Sequence, residues 1–103
     1  MNNTELQKIA DELEFDLEDV EMLIEVFIES AEESLKIMNL AVENNDYDSI
    51  FQSAHAIKGS AGSLTLLEIA NLAKEMELEA RDSNNIDYKE LYHQLNTLIQ
   101  NIK

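Results

Sequence analysis

The segment Asp16–Asn44, DLEDVEMLIEVFIESAEESLKIMNLAVEN, contains neither glycine nor proline. Its residues Val20, Leu23, Ile24, Phe27, Ile28, Ala31, Leu35, Met38 and Val42 recur at steps of three and four, the spacing of one face of an α-helix. Asp16 stands where an N-cap belongs. A helix of this length dictates long partners, so the fold is expected to be built from helices laid along it. Met22, Val26, Ile37 and Leu40 widen the stripe, which predicts contact with more than one neighbour.

Outward from this segment the pattern stays helical. Upstream, Thr4-Glu5-Leu6-Gln7 reads as a capping box opening a short helix that ends near Phe15. Downstream, Asn44-Asn45-Asp46 breaks the pattern, and a third helix is predicted from about Tyr47 to Gly62, burying Ile50, Ala54, Ile57 and Ala61. Thr65-Leu66-Leu67-Glu68 reads as another capping box, with a fourth helix reaching about Asp82. After a turn at Ser83-Asn84-Asn85, Asp87 is placed to cap a last helix that turns Leu91, Leu95, Leu98 and Ile102 inward. Short connections make sequential helices antiparallel neighbours. There is no strand pattern, internal repeat or linker. The expected fold is all-α: an up-down antiparallel four-helix bundle with a short additional N-terminal helix, residues 1–103 forming one domain.

Composition narrows the function classes. Of 103 residues, 45% are hydrophobic and 28% charged, a globular balance. With no cysteine there is no disulfide and no thiolate metal site, which fits a reducing compartment. The N-terminus lacks a signal-peptide pattern, and no run approaches the roughly 18 apolar residues of a membrane span, so a cytoplasmic protein is expected. Seven basic against 22 acidic residues give a net charge of −15, which argues against nucleic acid and anionic membranes as partners. It also makes each cation conspicuous.

One of those cations lies in Ala54-His55-Ala56-Ile57-Lys58-Gly59-Ser60-Ala61-Gly62, which holds both glycines of the chain. On a helix His55, Lys58, Gly59 and Gly62 share a face. His55 should point roughly 100–160° away from the buried set, toward solvent or the boundary. Glycine within a helix costs about 0.5–1 kcal/mol relative to alanine, so its presence here makes sense if something large approaches His55. An exposed neutral imidazole is a nucleophile. If it accepts a phosphoryl group, a fixed cation such as Lys58 stabilises the charge on the oxygens. A group from a second helix could hold the other ring nitrogen. The plainer alternative makes His55 a surface histidine and Gly62 a helix C-cap, though Gly59 lies too far inside the helical pattern for that. Residue chemistry by itself leaves both open.

His55-Ala56-Ile57-Lys58-Gly59-Ser60-Ala61-Gly62-Ser63-Leu64 resembles the signature of histidine-containing phosphotransfer (HPt) domains: His, any residue, an aliphatic, Lys, Gly, then small residues and an aliphatic. Phe27, the turn Asn45-Asp46-Tyr47, and Leu72, Met76, Glu77, Ala80 and Arg81 are also similar to the family's pattern. The resemblance implies that His55 is the phosphoacceptor, through Nε2, that Lys58 stabilises the phosphoryl group, and that Gly59 admits a docking receiver domain. Glu77 matches a position where a glutamate or glutamine orients the histidine ring. Gly62, Phe51, Gln52 and Arg81 complete the expected partner-contacting set. Where the family usually has glycine after the aliphatic, this chain has Thr65, read here as N-cap of the fourth helix with Glu68 closing the box.

The function implied is that of a phosphorelay carrier rather than an enzyme in its own right, shuttling a phosphoryl group between receiver-domain aspartates. No cofactor of its own is expected, Mg²⁺ being supplied by the receiver. Its partners would be response-regulator receiver domains and a hybrid or other histidine kinase. Two alternatives stand beside it: the phosphoacceptor module of a chemotaxis-type histidine kinase, and a structural helical adaptor. The lack of a kinase core after Lys103 favours the free-standing carrier. His93 has no patterned metal partner, and Asp82–Asp87 lacks the glycine and final glutamate of a calcium loop. Met22, Met38 and Met76 sit at core spacing. With no large surplus apolar stripe, a monomer is expected.

Overall fold

The computed structural model describes all 103 residues as five α-helices without strands: α1 (Asn3–Leu13), α2 (Leu17–Glu43), α3 (Tyr47–Ser63), α4 (Leu67–Arg81) and α5 (Tyr88–Asn101). α2 packs on α3 and α5, α3 on α4, and α4 on α5, which closes a ring of four helices, while α1 packs on α2 alone. With short turns between neighbours, this is the expected up-down bundle plus one short helix. At about 1.5 Å of rise per residue α2 spans roughly 40 Å, and the molecule is 42 Å long by 19 by 17 Å across.

The core follows the helical stripes. Val20, Ile24, Phe27, Ala31, Leu35 and Met38 of α2 are buried against Ile50, Ala54, Ile57 and Ala61 of α3 and Ile69, Ala73, Met76 and Ala80 of α4. On α5, Leu95 and Ile99 are fully enclosed, whereas Leu91, Leu98 and Ile102 pack half-buried at the edge. α2 has the several neighbours expected for it, α1, α3 and α5, but the residues that widen its stripe meet none of them. Met22, Val26, Ile37 and Leu40 remain 64%, 57%, 54% and 61% exposed, so Met22 is not a core methionine. These residues lie on the side of α2 opposite its core face, where no helix packs. The chain thus carries the surplus apolar stripe whose absence the expectation of a monomer assumed.

Helix ends differ from the sequence reading in instructive ways. α1 is capped by Asn2, whose side-chain oxygen accepts from Glu5 N–H at 2.8 Å, two residues before the Thr4 expected to do so. Asp16 occupies the N-cap of α2 but makes no side-chain cap bond, while Asp46 and Asp87 accept from Ser49 N–H and Glu90 N–H. Thr65 caps nothing: α4 begins at Leu67 behind an uncapped Leu66. Thr65 instead adopts a left-handed backbone, as do Glu14, Asn45 and Ser83, with φ of 59°, 58°, 52° and 53°. Behind each of the four, the next residue's N–H reaches back across the last turn: Phe15 to Ala10 O, Asp46 to Ala41 O, Leu66 to Ala61 O and Asn84 to Glu79 O, at 2.9–3.0 Å. This is the Schellman closure, which satisfies the last carbonyls with backbone alone.

The chain's ends also meet. The Met1 ammonium donates to Ile102 O at 2.9 Å and Lys103 O at 3.3 Å, and Lys103 pairs with Glu32 of α2.

Candidate functional site

α3 carries His55 near its middle, and the interface between α3 and α4 fixes what the ring meets. The buried positions Ala54 and Ile57 lock the helix rotation, so His55 turns away from the core and its side chain is 58% exposed. One turn before it, the half-buried Phe51 lies nearly parallel to the imidazole, ring centroids 5.9 Å apart at 13°. Across the interface α4 presents Glu77, the one acidic residue of the chain that is buried, only 8% exposed.

Glu77 binds two groups of α3 at once. Its Oε1 lies 3.3 Å from His55 Nδ1 and accepts from Lys58 Nζ at 3.1 Å, while Lys58 Nζ sits 2.8 Å from Oε2. The second contact is ionic rather than a well-angled hydrogen bond, and Oε2 has no other partner. A carboxylate can only accept, so Nδ1 carries the proton in this contact, and in the neutral ring Nε2 is then the bare, nucleophilic nitrogen. Burial pushes the Glu77 carboxyl up, but hydrogen bonds from Lys58 and His55 and their charges outweigh it, holding the group ionised below its ordinary range.

The glycines occupy ordinary helical backbone, for neither has positive φ. A Cβ built at Gly59 or Gly62 would meet nothing within 4 Å, so no contact inside the molecule requires glycine at either position. Gly62 is interior to α3, which runs on to Ser63, and is therefore not the helix C-cap. Both leave bare backbone facing open space beside His55. Gln52 is likewise exposed.

Arg81 is not drawn into the cluster. It turns to Asp82, donating from Nε at 3.1 Å and from Nη2 at 3.4 Å. A groove between α2 and α3, lined by Leu23, Val26, Ser60, Ser63 and Leu64, escaped the sequence reading. Its sequence signal was the pair of small residues Ser60 and Ser63 on the α2-facing side of α3. No group of three or more His, Cys, Asp or Glu side chains is gathered as a metal-ligand set, and no helix is long and apolar enough to cross a membrane.

A family model for the Hpt domain matches residues 22–103, and the chain belongs to the Hpt domain family. Its fold is similar to the crystal structure of histidine-containing phosphotransfer protein B (HptB) from Pseudomonas aeruginosa PAO1. That likeness has a TM-score of 0.78 at 21% identity, over 97% of this chain and 84% of the other. No curated protein matches the sequence. Membership implies a phosphoryl-carrying role in a phosphorelay, with the chemistry depending on partner domains.

Proposed function

We propose that this chain carries a phosphoryl group on Nε2 of His55, taking it from an aspartyl phosphate of one receiver domain and passing it to an aspartate of another. The observation that supports this reading is the exposed imidazole whose Nδ1 is engaged by the buried Glu77 at 3.3 Å, which frees Nε2 for attack. In the step, the Nε2 lone pair forms the N–P bond as the P–O bond to the receiver aspartate breaks. The bonding electrons leave with that carboxylate. The Nδ1 proton stays on the ring, and the resulting phosphoimidazolium is met by the Glu77 carboxylate. Return transfer is the same step reversed.

The receiver supplies Mg²⁺ and the aspartate; this chain supplies an oriented nucleophile and a landing surface. Gly59 and Gly62, with Phe51 and Gln52 on one side and the exposed Leu23 and Val26 on the other, make up that surface. Arg81, at its rim, stays paired with Asp82 until a partner offers a better anion. A hybrid or other histidine kinase stands upstream.

Incubation with a receiver charged by acetyl phosphate and Mg²⁺, followed by intact-mass analysis, tests the reading. The expected product carries one phosphoryl group, acid-labile and alkali-stable, and His55→Ala carries none. Full labelling of His55→Ala would overturn the assignment. Labelling by an ATP-binding kinase core but by no receiver would move the chain to the chemotaxis-type alternative.

A further inference from the structure

Because α1 packs on α2 alone, a groove of about 410 Å³ stays open between α1, the first turn of α4 and the end of α5. Its floor is the buried Ile9, Leu66 and Ile69, and its wall the half-buried Leu98 and Ile102. Leu67 forms an exposed lip, 62% accessible. Three carboxylates, Glu5, Glu12 and Glu68, line the groove beside a single lysine, Lys8. We propose that this groove is a docking site for a basic amphipathic helix of another protein, which seats aliphatic side chains on the floor and sets lysine or arginine against the carboxylates.

Shape and charge select that occupant. Glu5, Lys8 and Glu12 follow one another over two turns of α1, roughly 10 Å of its length. The groove is therefore elongated, as a helix lying along it requires. Apolar anchors at helical spacing supply the affinity in such a groove, and charges at its rim choose the partner. A second copy of this chain would arrive with its own net charge of −15, so the occupant is cationic and foreign.

Backbone strain falls at the same place. Thr65 lines the groove and holds φ of 59°, a conformation that β-branched residues rarely adopt. Ser60 and Ser63 return their hydroxyls to the backbone of α3, whereas the Thr65 hydroxyl is not so committed. A strained side chain of this kind is accounted for when it meets an occupant. Its methyl extends the apolar wall, and its hydroxyl is available to a polar group of the docked helix. Thr65 follows His55 by roughly 15 Å of helix axis, so a partner seated here leaves the imidazole uncovered. The inference does not depend on the carrier reading.

The probe is a synthetic amphipathic peptide of leucine and lysine, titrated into the isotope-labelled full chain and followed by backbone-amide NMR. A leucine–glutamate peptide of the same pattern is the control. The lysine peptide should shift the amides of Glu5, Lys8, Leu67 and Leu98 saturably while His55 and Gly59 stay in place, and the control should shift none. Leu67→Asp, at an exposed position that leaves the core intact, should weaken binding at least about tenfold, the loss of one interface anchor. Glu12→Lys should weaken it about threefold and flatten its dependence on salt. Thr65→Gly should also bind about threefold more weakly while melting no earlier than wild type, a split that a purely structural threonine does not give. Shifts confined to Met22, Val26, Ile37 and Leu40 would put the peptide on the exposed stripe of α2 and overturn the proposal. No saturable shift, equal binding of the control, or an affinity unmoved by Leu67→Asp would overturn it as well. His55→Ala should bind the peptide as wild type does, so a failure of the carrier reading is told apart from a failure of this one.

Discussion

Gly59 and Thr65 are both out of place by local rules, and for opposite reasons. Gly59 sits in helical backbone with nothing within 4 Å of its missing Cβ. Alanine there should therefore stabilise the fold by about 0.5–1 kcal/mol, read from urea melts, while weakening complex formation with a receiver by at least about tenfold. A stabilised variant that binds as well as wild type would remove the reason for the glycine. Thr65 is a β-branched residue at φ 59°, a conformation that costs an L-residue about 1–2 kcal/mol. Thr65→Gly should raise stability by about 1 kcal/mol after the entropy of the more flexible unfolded chain is subtracted. Unchanged stability in equilibrium melts would mean the Thr side chain recovers that cost elsewhere. The candidate site was legible in part at this scale: helical spacing puts His55 and Lys58 on one face, Glu77 came only from the family resemblance, and the helices bring the three side chains together. The left-handed Thr65 was not, because Thr-x-x-Glu before an apolar run reads the same whether its first residue caps the next helix or ends the last one.

Among the elements, α2 shows what periodicity can and cannot carry. Val26 and Phe27 are neighbours in sequence, 57% and 3% exposed. Phe27→Ala should cost about 3–5 kcal/mol by opening a cavity in the core, whereas Val26→Gln should change stability by no more than about 0.5 kcal/mol. Chemical denaturation of the two variants checks both, and a large loss at Val26 would show that its face of α2 is covered in solution. The helical period located the core face of α2 down to Ile24, Ala31 and Met38, but set Leu23 on it as well, and Leu23 is 37% exposed at the edge of that face. It could not tell how many helices surround α2, since an apolar residue facing solvent and one facing a neighbour repeat identically. Helix ends were read within about two residues. Caps were less legible: Asp87 caps α5 as expected, but Asn2 holds the bond expected of Thr4, and neither Asp16 nor Thr65 makes a side-chain cap bond.

For the molecule as a whole, the governing fact is a net charge of −15 on a body 19 by 17 Å across. At about 0.01 M salt the screening length is roughly 30 Å and at 0.15 M about 8 Å. In the first case charges on opposite sides repel through the whole bundle; in the second they do not. Raising sodium chloride over this range should therefore raise the melting temperature, and by more than adding the same molarity of a neutral osmolyte. A melting temperature indifferent to salt would show that the acidic surface is already balanced locally.

The tie between Met1 and the carbonyls of Ile102 and Lys103 has a topological consequence. The polypeptide leaves the bundle within hydrogen-bonding distance of where it enters, so the fold is a ring with a single gap. A domain of that kind can be spliced into a surface turn of a host protein without prising the host's flanking strands apart. It can equally be reopened elsewhere, for instance between Asn84 and Asn85, once a short bridge joins residues 1 and 103.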